Sequence, residues 1–291
     1  MRGLKIILLA KQVPDTRNVG KDAMKADGTV NRAALTAIFN PEDMNALELA
    51  LRIKDKNPGT VITVVTMGPA RAAGIIREAM YRGADGGYLV TDRKFAGSDT
   101  LATSYALSLA IMKLAPFDMV IAGRQAIDGD TAQVGPQVAE KLGLPQVTYA
   151  EEVITVDENE VIVKRRIERG VETVASPMPL VITVHGSAPE CRARHAKYTI
   201  KYKRARSLSE LQDTSEDYLQ LQKDRPHLMI EEWNVDDIDA DEKQLGLSGS
   251  PTKVKKIENV VFTSRESRVL AGEDSEIEQL MKDLIDNHTI G

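Results

Sequence analysis

The sequence predicts an α/β protein: a doubly wound, mostly parallel sheet with an antiparallel meander, a C-terminal arm and a terminal helix. Three observations predict it. Four strand-length runs are apolar on both faces, as strands buried in a covered parallel sheet must be. The segments between them carry helix start and stop signals. Strand and helix patterns alternate through the first half of the chain, which is the signature of βαβ units.

The elements follow in order. Leu4–Ala10 ("LKIILLA") is the first apolar run, and Asp27-Gly28 within Met24–Arg32 reads as a hairpin turn between short polar strands. A helix opens after Asn40 with Pro41 at its start, acids in its first turn, lysines in its last and Pro58-Gly59 as its stop. Thr60–Gly68 and Gly86–Thr91 are the next strands. The stretches "PARAAGIIREAMYRGAD" and "SDTLATSYALSLAIMKLAP" are the helices after them, with Ser98 expected as the cap of the latter. Phe117–Gly123 is the fourth strand. After Gly143 the pattern alternates with period two. Turns are expected at Asp157–Asn159 and Gly170, giving a meander over 151–185 that ends in a buried strand, Leu180–Val184. From Gly186 a basic stretch precedes an acidic one with little periodicity beyond a helical pattern in "SLSELQDTSEDYLQLQKD", which reads as an arm rather than a core. The stretch "EDSEIEQLMKDLIDNHTIG" is an amphipathic helix with Ile277, Leu280, Met281 and Leu284 on one face. The expected division is 1–185 for the α/β domain and 186–291 for the arm and helix.

Bulk properties narrow the function. Of 291 residues, 42% are hydrophobic and 28% charged, as in ordinary globular proteins, and aromatic residues are only 4%, so Val, Ile, Leu, Ala and Met must fill the core. A net charge of −5 gives no support for nucleic-acid binding. The single cysteine, Cys191, excludes an internal disulfide and fits a reducing, cytoplasmic compartment. Its basic surroundings would favour a lower thiol pKa; with no base motif beside it, it reads as incidental. No apolar run reaches the roughly 20 residues of a membrane span. The first apolar run lacks a small-residue cleavage site, so no signal peptide is expected. The four histidines, His185, His195, His227 and His288, show no metal-ligand spacing.

Neither a G-x-G-x-x-G nor a P-loop motif is present, and no nucleophile–base arrangement is visible. A well-formed α/β sheet without acid–base machinery suggests a bound cofactor that carries its own chemistry. In such sheets ligands sit beyond the carboxyl ends of the strands. The loops there are "KQVPDT", "MGPA" and "GRQAIDGDTAQVGP", with the helix start at Asn40 beside them. The last loop has three glycines, two acids and one base. Gly123 lets the chain leave the strand tightly and Gly129 frees N–H groups. The helix beginning in "DTAQVGP" offers unpaired N–H donors, Thr131 and Gln133 add side-chain donors, and Arg124 adds a full charge. Two readings stay open from the residues: a diphosphate cradle, or a loop in which Asp128 or Asp130 merely caps a helix.

The quoted motifs carry a family resemblance. "LAKQVPDT", "NPEDMNALELAL", "VTMGP", the "GAD" of Gly83–Asp85, "GRQAIDGDTAQVGPQVAE", "VIVKRRIERGVETVASPMPLVIT" and "SGSPTKVKKIE" together resemble the small (β) subunit of electron transfer flavoproteins over nearly the whole chain. The resemblance implies a heterodimer with an α subunit that carries its own FAD. In respiratory members the β subunit holds AMP; in electron-bifurcating members it holds a second FAD reduced by NADH. Arg124 with "IDGDTAQVGP" and "KQVPDT" is similar to the bifurcating kind, whereas the AMP-holding kind reads "GKQAIDDD" there. FAD is therefore expected, with AMP as the alternative. One electron of NADH would pass through the α-subunit FAD to a partner dehydrogenase and the other to ferredoxin or flavodoxin. By position, Ala10, Asn40, Met67, Gly123, Asp128, Gly129, Asp130, Thr131, Ala132, Gln133, Val134 and Gly135 are implied to line the nucleotide. The flavin and NADH side is assigned to Lys11, Val13, Pro14, Asp15 and Thr16.

One departure bears on the partner. The family reads "N-x-P-R-Y" after the buried strand, then a Leu-bearing loop that docks acyl-CoA dehydrogenases. Here the text is "SAPECRARHAK", and Arg194 stands near the expected Leu. Cys191, Arg192, Arg194 and Lys197 are accordingly assigned to partner docking, and a lactate-type flavin dehydrogenase joins the acyl-CoA type as a candidate. Two alternatives stand beside this reading: a plain electron carrier holding AMP, and, of another class, a stand-alone nucleotide-binding regulatory module. An ATP-using ligase would want a pyrophosphate loop such as S-G-G-x-D-S, of which "AGSDT" at Ala96–Thr100 is only an echo.

Overall fold

The computed structural model describes residues 3–15, 36–211, 220, 224–252, 269–286 and 290. The chain divides into two units, Met1–Lys255 and Lys256–Gly291. The first unit is built on strands β1 (Lys5–Leu9), β2 (Gln12–Pro14), β3 (Ala37–Phe39), β4 (Val61–Met67), β5 (Gly86–Val90), β6 (Met119–Gly123), β7 (Gln146–Val156), β8 (Glu160–Ile167), β9 (Gly170–Pro177), β10 (Leu180–Val184), β11 (Arg206–Ser207) and β12 (Met229–Trp233). Its helices are α1 (Pro41–Lys56), α2 (Ala73–Met80), α3 (Thr100–Lys113), α4 (Val134–Leu142), α5 (Ala196–Tyr202) and α6 (Leu208–Leu211).

Ten strands form one sheet in the order β11-β12-β5-β4-β1-β6-β10-β7-β8-β9, and β2 and β3 pair antiparallel beside it. All neighbours from β11 to β7 are parallel, and β7-β8-β9 run antiparallel. Alternate residues of each strand serve opposite faces. Ile6, Leu8, Ile62, Val64 and Ile121 join α1 and α2 in one core. Ile7, Leu9, Val65, Val120 and Ala122 join α3 and α4 in the other. That two-sided burial is why these strands read as continuous apolar runs.

Four expectations need correction. Leu180–Val184 does not close the meander: β10 lies parallel between β6 and β7, and all five of its residues are buried. The cap of α3 is Asp99, whose carboxylate accepts the N–H groups of Leu101 and Ala102, while the Ser98 hydroxyl donates to the Phe95 carbonyl. "KQVPDT" is not wholly loop: Gln12–Pro14 is β2, with Val13 buried. Within the stretch after Gly186, β12 pairs with β5 and buries Ile230, while Val235, Ile238 and Leu245 enter the second core. The expected hairpin at Met24–Arg32 and most of the helical pattern in 207–224 lie outside the described residues, apart from α6.

The second unit contains α7 (Asp274–Asp286), on which Ile277, Met281 and Ile285 are exposed. Among the described residues no helix is long and apolar enough to cross a membrane.

Candidate functional site

The order β4-β1-β6-β10 makes the β1/β6 pair the point where the sheet's winding reverses, and a crevice opens there beyond the carboxyl ends. The backbone shows the split. β1 and β6 are in register up to Leu9 and Ala122. Beyond them the Ala10 N–H donates to the Val65 carbonyl of β4 (3.1 Å), and the Arg124 N–H to the Val184 carbonyl of β10 (2.8 Å). The crevice, about 360 Å³, is floored by Leu9, Ala10, Val65, Met67 and Ala122 and walled by the loops after β5 and β6.

The loop after β6 is held from α1. Asn40, at the N-cap of α1, donates through its amide to the Gln125 carbonyl (2.9 Å) and accepts the Ile127 N–H (3.1 Å). Glu42 accepts the Gln125 N–H and two bonds from the Arg124 guanidinium, 2.8 and 3.2 Å long. The Glu42 bond raises the Arg124 pKa. Arg124 also lies 5.4 Å over the ring of Tyr149, a β7 residue at φ 59° beside a register shift in the β7/β8 ladder. Asp43 accepts the N–H groups of Lys11 (2.8 Å) and Gly123 (3.0 Å). A Cβ on Gly123 would stand 2.4 Å from an Asp43 oxygen, so only glycine fits. Burial lifts the Asp43 carboxyl to about 7, against the opposing hydrogen bonds from Lys11, Asn40 and Gly123.

Ala10, Lys11, Met67, Gly123, Arg124 and each residue of Gly129–Gly135 line the crevice; Asn40 and Asp128 do not. Asn40 braces the loop from behind. Asp128 turns its carboxylate to the Lys11 ammonium, 2.7 and 2.9 Å away, joining the loops after β1 and β6. Val13 belongs to the core, Asp15 is buried with its N–H donating to the Thr36 carbonyl, Pro14 is half-buried in β2, and Thr16 lies outside the described residues. The helix begins at Val134, later than the loop text suggests, and neither Asp128 nor Asp130 caps it. Its first turn has no side-chain cap bond. Asp130 (φ 47°) and Ala132 (φ 51°) flank Thr131 in the left-handed region, and a Cβ at Gly129 would meet open space. Gly135 lets α4 come close to β10, since a Cβ there would stand 2.4 Å from the Thr183 methyl. A loop of small residues, an uncapped helix start and one ammonium fit the phosphates of a nucleotide.

The sequence reading passed over the wall after β5. Phe95, Gly97, Ser98, Asp99, Thr100 and Thr103 all line the crevice. Thr100 donates to the Gln133 side chain (2.8 Å), which joins the starts of α3 and α4. The signal was the small, polar run "AGSDT", placed after a strand like the other loops.

The residues assigned to docking sit elsewhere. Arg192 bonds Glu48 through its side chain (2.9 and 3.2 Å) and Asp55 (2.8 Å), and Arg194 bonds Glu78 (2.9 Å). Burial would raise the Glu48 carboxyl, but bonds from Arg192 and Arg52 hold it below its ordinary value. Cys191 is partly buried against the first core, and burial pushes its thiol up to about 11, opposite to the expected lowering. Lys197, in the first turn of α5, is exposed. A second depression, about 410 Å³, lies between α1 and β7 and takes no residue from the loops after β1, β4, β5 or β6.

Residues 27–206 match the electron transfer flavoprotein domain. The chain is 44% identical over 260 residues to electron transfer flavoprotein subunit beta of Megasphaera elsdenii, covering 87% of each chain. It is 41% identical over 251 residues to the caffeyl-CoA reductase-Etf complex subunit CarD of Acetobacterium woodii, covering 86% of each. It is also 41% identical over 296 residues to the acryloyl-CoA reductase electron transfer subunit gamma of Anaerotignum propionicum, covering 99% of this chain and all of that one.

Proposed function

The chain belongs to the β-subunit family of electron transfer flavoproteins, and on that premise we propose that it is the nucleotide-holding small subunit of a cytoplasmic, NADH-oxidising heterodimer. The crevice at the β1/β6 switch point holds FAD. The complex takes two electrons from NADH, delivering one to ferredoxin or flavodoxin and one, through the α subunit's FAD, to a flavin dehydrogenase of lactate or acyl-CoA type. Residues 1–185 form the nucleotide-binding part, β12 and the segment through Leu245 complete its sheet and core, and the rest of 186–291 supplies the arm and helix that embrace the α subunit.

The observation that carries this reading is the crevice itself: an apolar floor from β1, β4 and β6 beneath walls of small and polar residues that end at the uncapped start of α4. Gly129–Gly135 and the start of α4 would hold phosphates there, and Lys11 would add charge. A flavin supplies hydride acceptance and one-electron transfer when bound. The protein's part is to bind it, orient it and keep water from its reactive face. The relatives' names add support, since two of them describe subunits of reductase complexes.

Co-purification with the α subunit and release of the cofactors tests the proposal. About two FAD per heterodimer, no AMP, and oxidation of NADH are expected. One FAD with one AMP would make the protein the structural half of a plain electron carrier. A stable, flavin-free monomer would favour the regulatory module. The docking assignment has its own test. Replacing Arg192–Lys197 with a Leu-bearing loop should weaken capture of the native dehydrogenase, and unchanged capture would refute it.

A further inference from the structure

We propose that Asp43 is the clasp of the crevice: a positioning residue whose carboxylate ties the ends of β1 and β6 at the spacing the nucleotide needs, and whose protonation releases one of them. The inference rests on the nucleotide reading above.

The geometry divides the work between two oxygens. Oδ2 accepts the Lys11 N–H at the end of β1, and Oδ1 accepts the Gly123 N–H at the end of β6. Just there the two strands part, one turning to β4 and the other to β10. Asp43 therefore bridges the gap that main-chain bonds no longer close. It lines the crevice itself, and its neighbours Asn40 and Glu42 hold the next residues of the same loop. The clasp, the loop brace and the arginine anchor all project from the first turn of α1, so that turn sets the shape of the site.

A carboxylate is acceptor-only when ionised; a proton turns one of its oxygens into a donor. Whichever oxygen takes the proton then faces an N–H, and that strand end loses its tie. The charged groups around Asp43 do not cancel this. Lys11 favours the ionised form but shares its ammonium with Asp128. Glu42 and Arg124 are paired with one another. Burial brings the titration to about 7, within reach of ordinary conditions. Nucleotide binding, which needs both strand ends in place, then favours loss of the proton.

The test uses the αβ complex freed of its nucleotide, titrated calorimetrically with FAD and separately with AMP at pH 6 and pH 8. For whichever nucleotide binds, wild-type affinity should fall roughly tenfold from pH 8 to pH 6. Asp43→Asn keeps an acceptor for only one N–H and cannot ionise. Its affinity should stay near the wild-type value at pH 6 throughout. The ligand's own phosphate titration is common to both proteins and cancels in the comparison. Asp43→Ser, also uncharged, serves if the Asn variant does not assemble. With FAD, wild type alone should release about half a proton per site at pH 7, read from two buffers of different ionisation enthalpy. Equal pH ratios in wild type and variant, or tighter binding at pH 6, would overturn the clasp while leaving the nucleotide site intact. Failure of both nucleotides to bind at every pH would overturn the site, and the clasp with it.

Discussion

The first turn of α1 and its middle place carboxylates in two different surroundings. At the crevice, Asp43 is buried among main-chain N–H groups, with no arginine bonded to it, and its carboxyl rises to about 7. One and a half turns on, Glu48 is 6% exposed, yet Arg192 and Arg52 bond it directly and hold its carboxyl below the ordinary value. Burial is shared; the partner decides the sign. The Glu48 region is built to stay charged and fixed. The Asp43 region is built so that a small change in the ligand or the solution alters it, which suits a binding site better than a strut.

Removing the arginine should break this contrast most severely. Breaking one side of a fully buried pair costs about 3–5 kcal/mol. Arg192 is 34% exposed, so screening lowers the expectation for Arg192→Ala to about 2–3 kcal/mol in urea unfolding at neutral pH. Because the Glu48 carboxyl is depressed, its contribution is fully present above the unfolded value and is lost as pH falls below that value and through the folded one. The gap between variant and wild type should therefore close on acidification. A gap that persists at low pH would mean that lost packing, not charge pairing, is responsible.

These two surroundings also show what the sequence could reveal. β1, β4, β5, β6 and their helices were legible because each strand is buried on both faces, which leaves an unmistakable apolar run. The parallel insertion of β10 was not, since a run such as "LVITV" carries no mark of which neighbours it joins. β12 was hidden for another reason: "MIEEW" turns only Ile230 fully inward. At the crevice, Gly129–Gly135 could be placed because a loop that follows a parallel strand lies beyond the sheet's carboxyl ends. Asp43 was read only as an acid in a helix's first turn. Nothing local shows that its carboxylate crosses to β1 and β6, 32 and 80 residues away in sequence. The arginines of 192–194 gave no sign of their bonds to Glu48, Asp55 and Glu78, because a basic run looks the same whether it faces a partner or its own helices.

The pH dependence of stability sharpens the comparison from the Asp43 side. An unfolded aspartate titrates near 3.9, and the folded one near 7. Between these values the folded state holds a proton that the unfolded chain has lost, so stability falls as pH rises through this window and levels above it. Asp43→Asn lacks that proton. Between pH 5.5 and 7 wild type should lose about 2 kcal/mol relative to the variant, opposite in sign to the Glu48 effect. Thermal unfolding of both proteins across that range reads it directly, and parallel pH profiles would place the Asp43 titration outside this window.

Arg124 offers the smallest effect and the finest distinction. Its position in the loop invites the reading of a phosphate cation, yet the guanidinium is already committed to Glu42 and to the ring of Tyr149. If that commitment persists with nucleotide bound, Arg124→Ala should cost about 1 kcal/mol of stability, because Glu42 keeps the Gln125 N–H as a partner. Nucleotide affinity should change by less than about threefold, with an unaltered dependence on salt. A direct arginine–phosphate bond would instead make the loss about tenfold or more and flatten the salt dependence. The two outcomes separate an arginine that shapes the crevice from one that touches what lies in it, and they decide whether Glu42 belongs with Glu48, as a carboxylate locked by its arginine, or with Asp43, as part of the site.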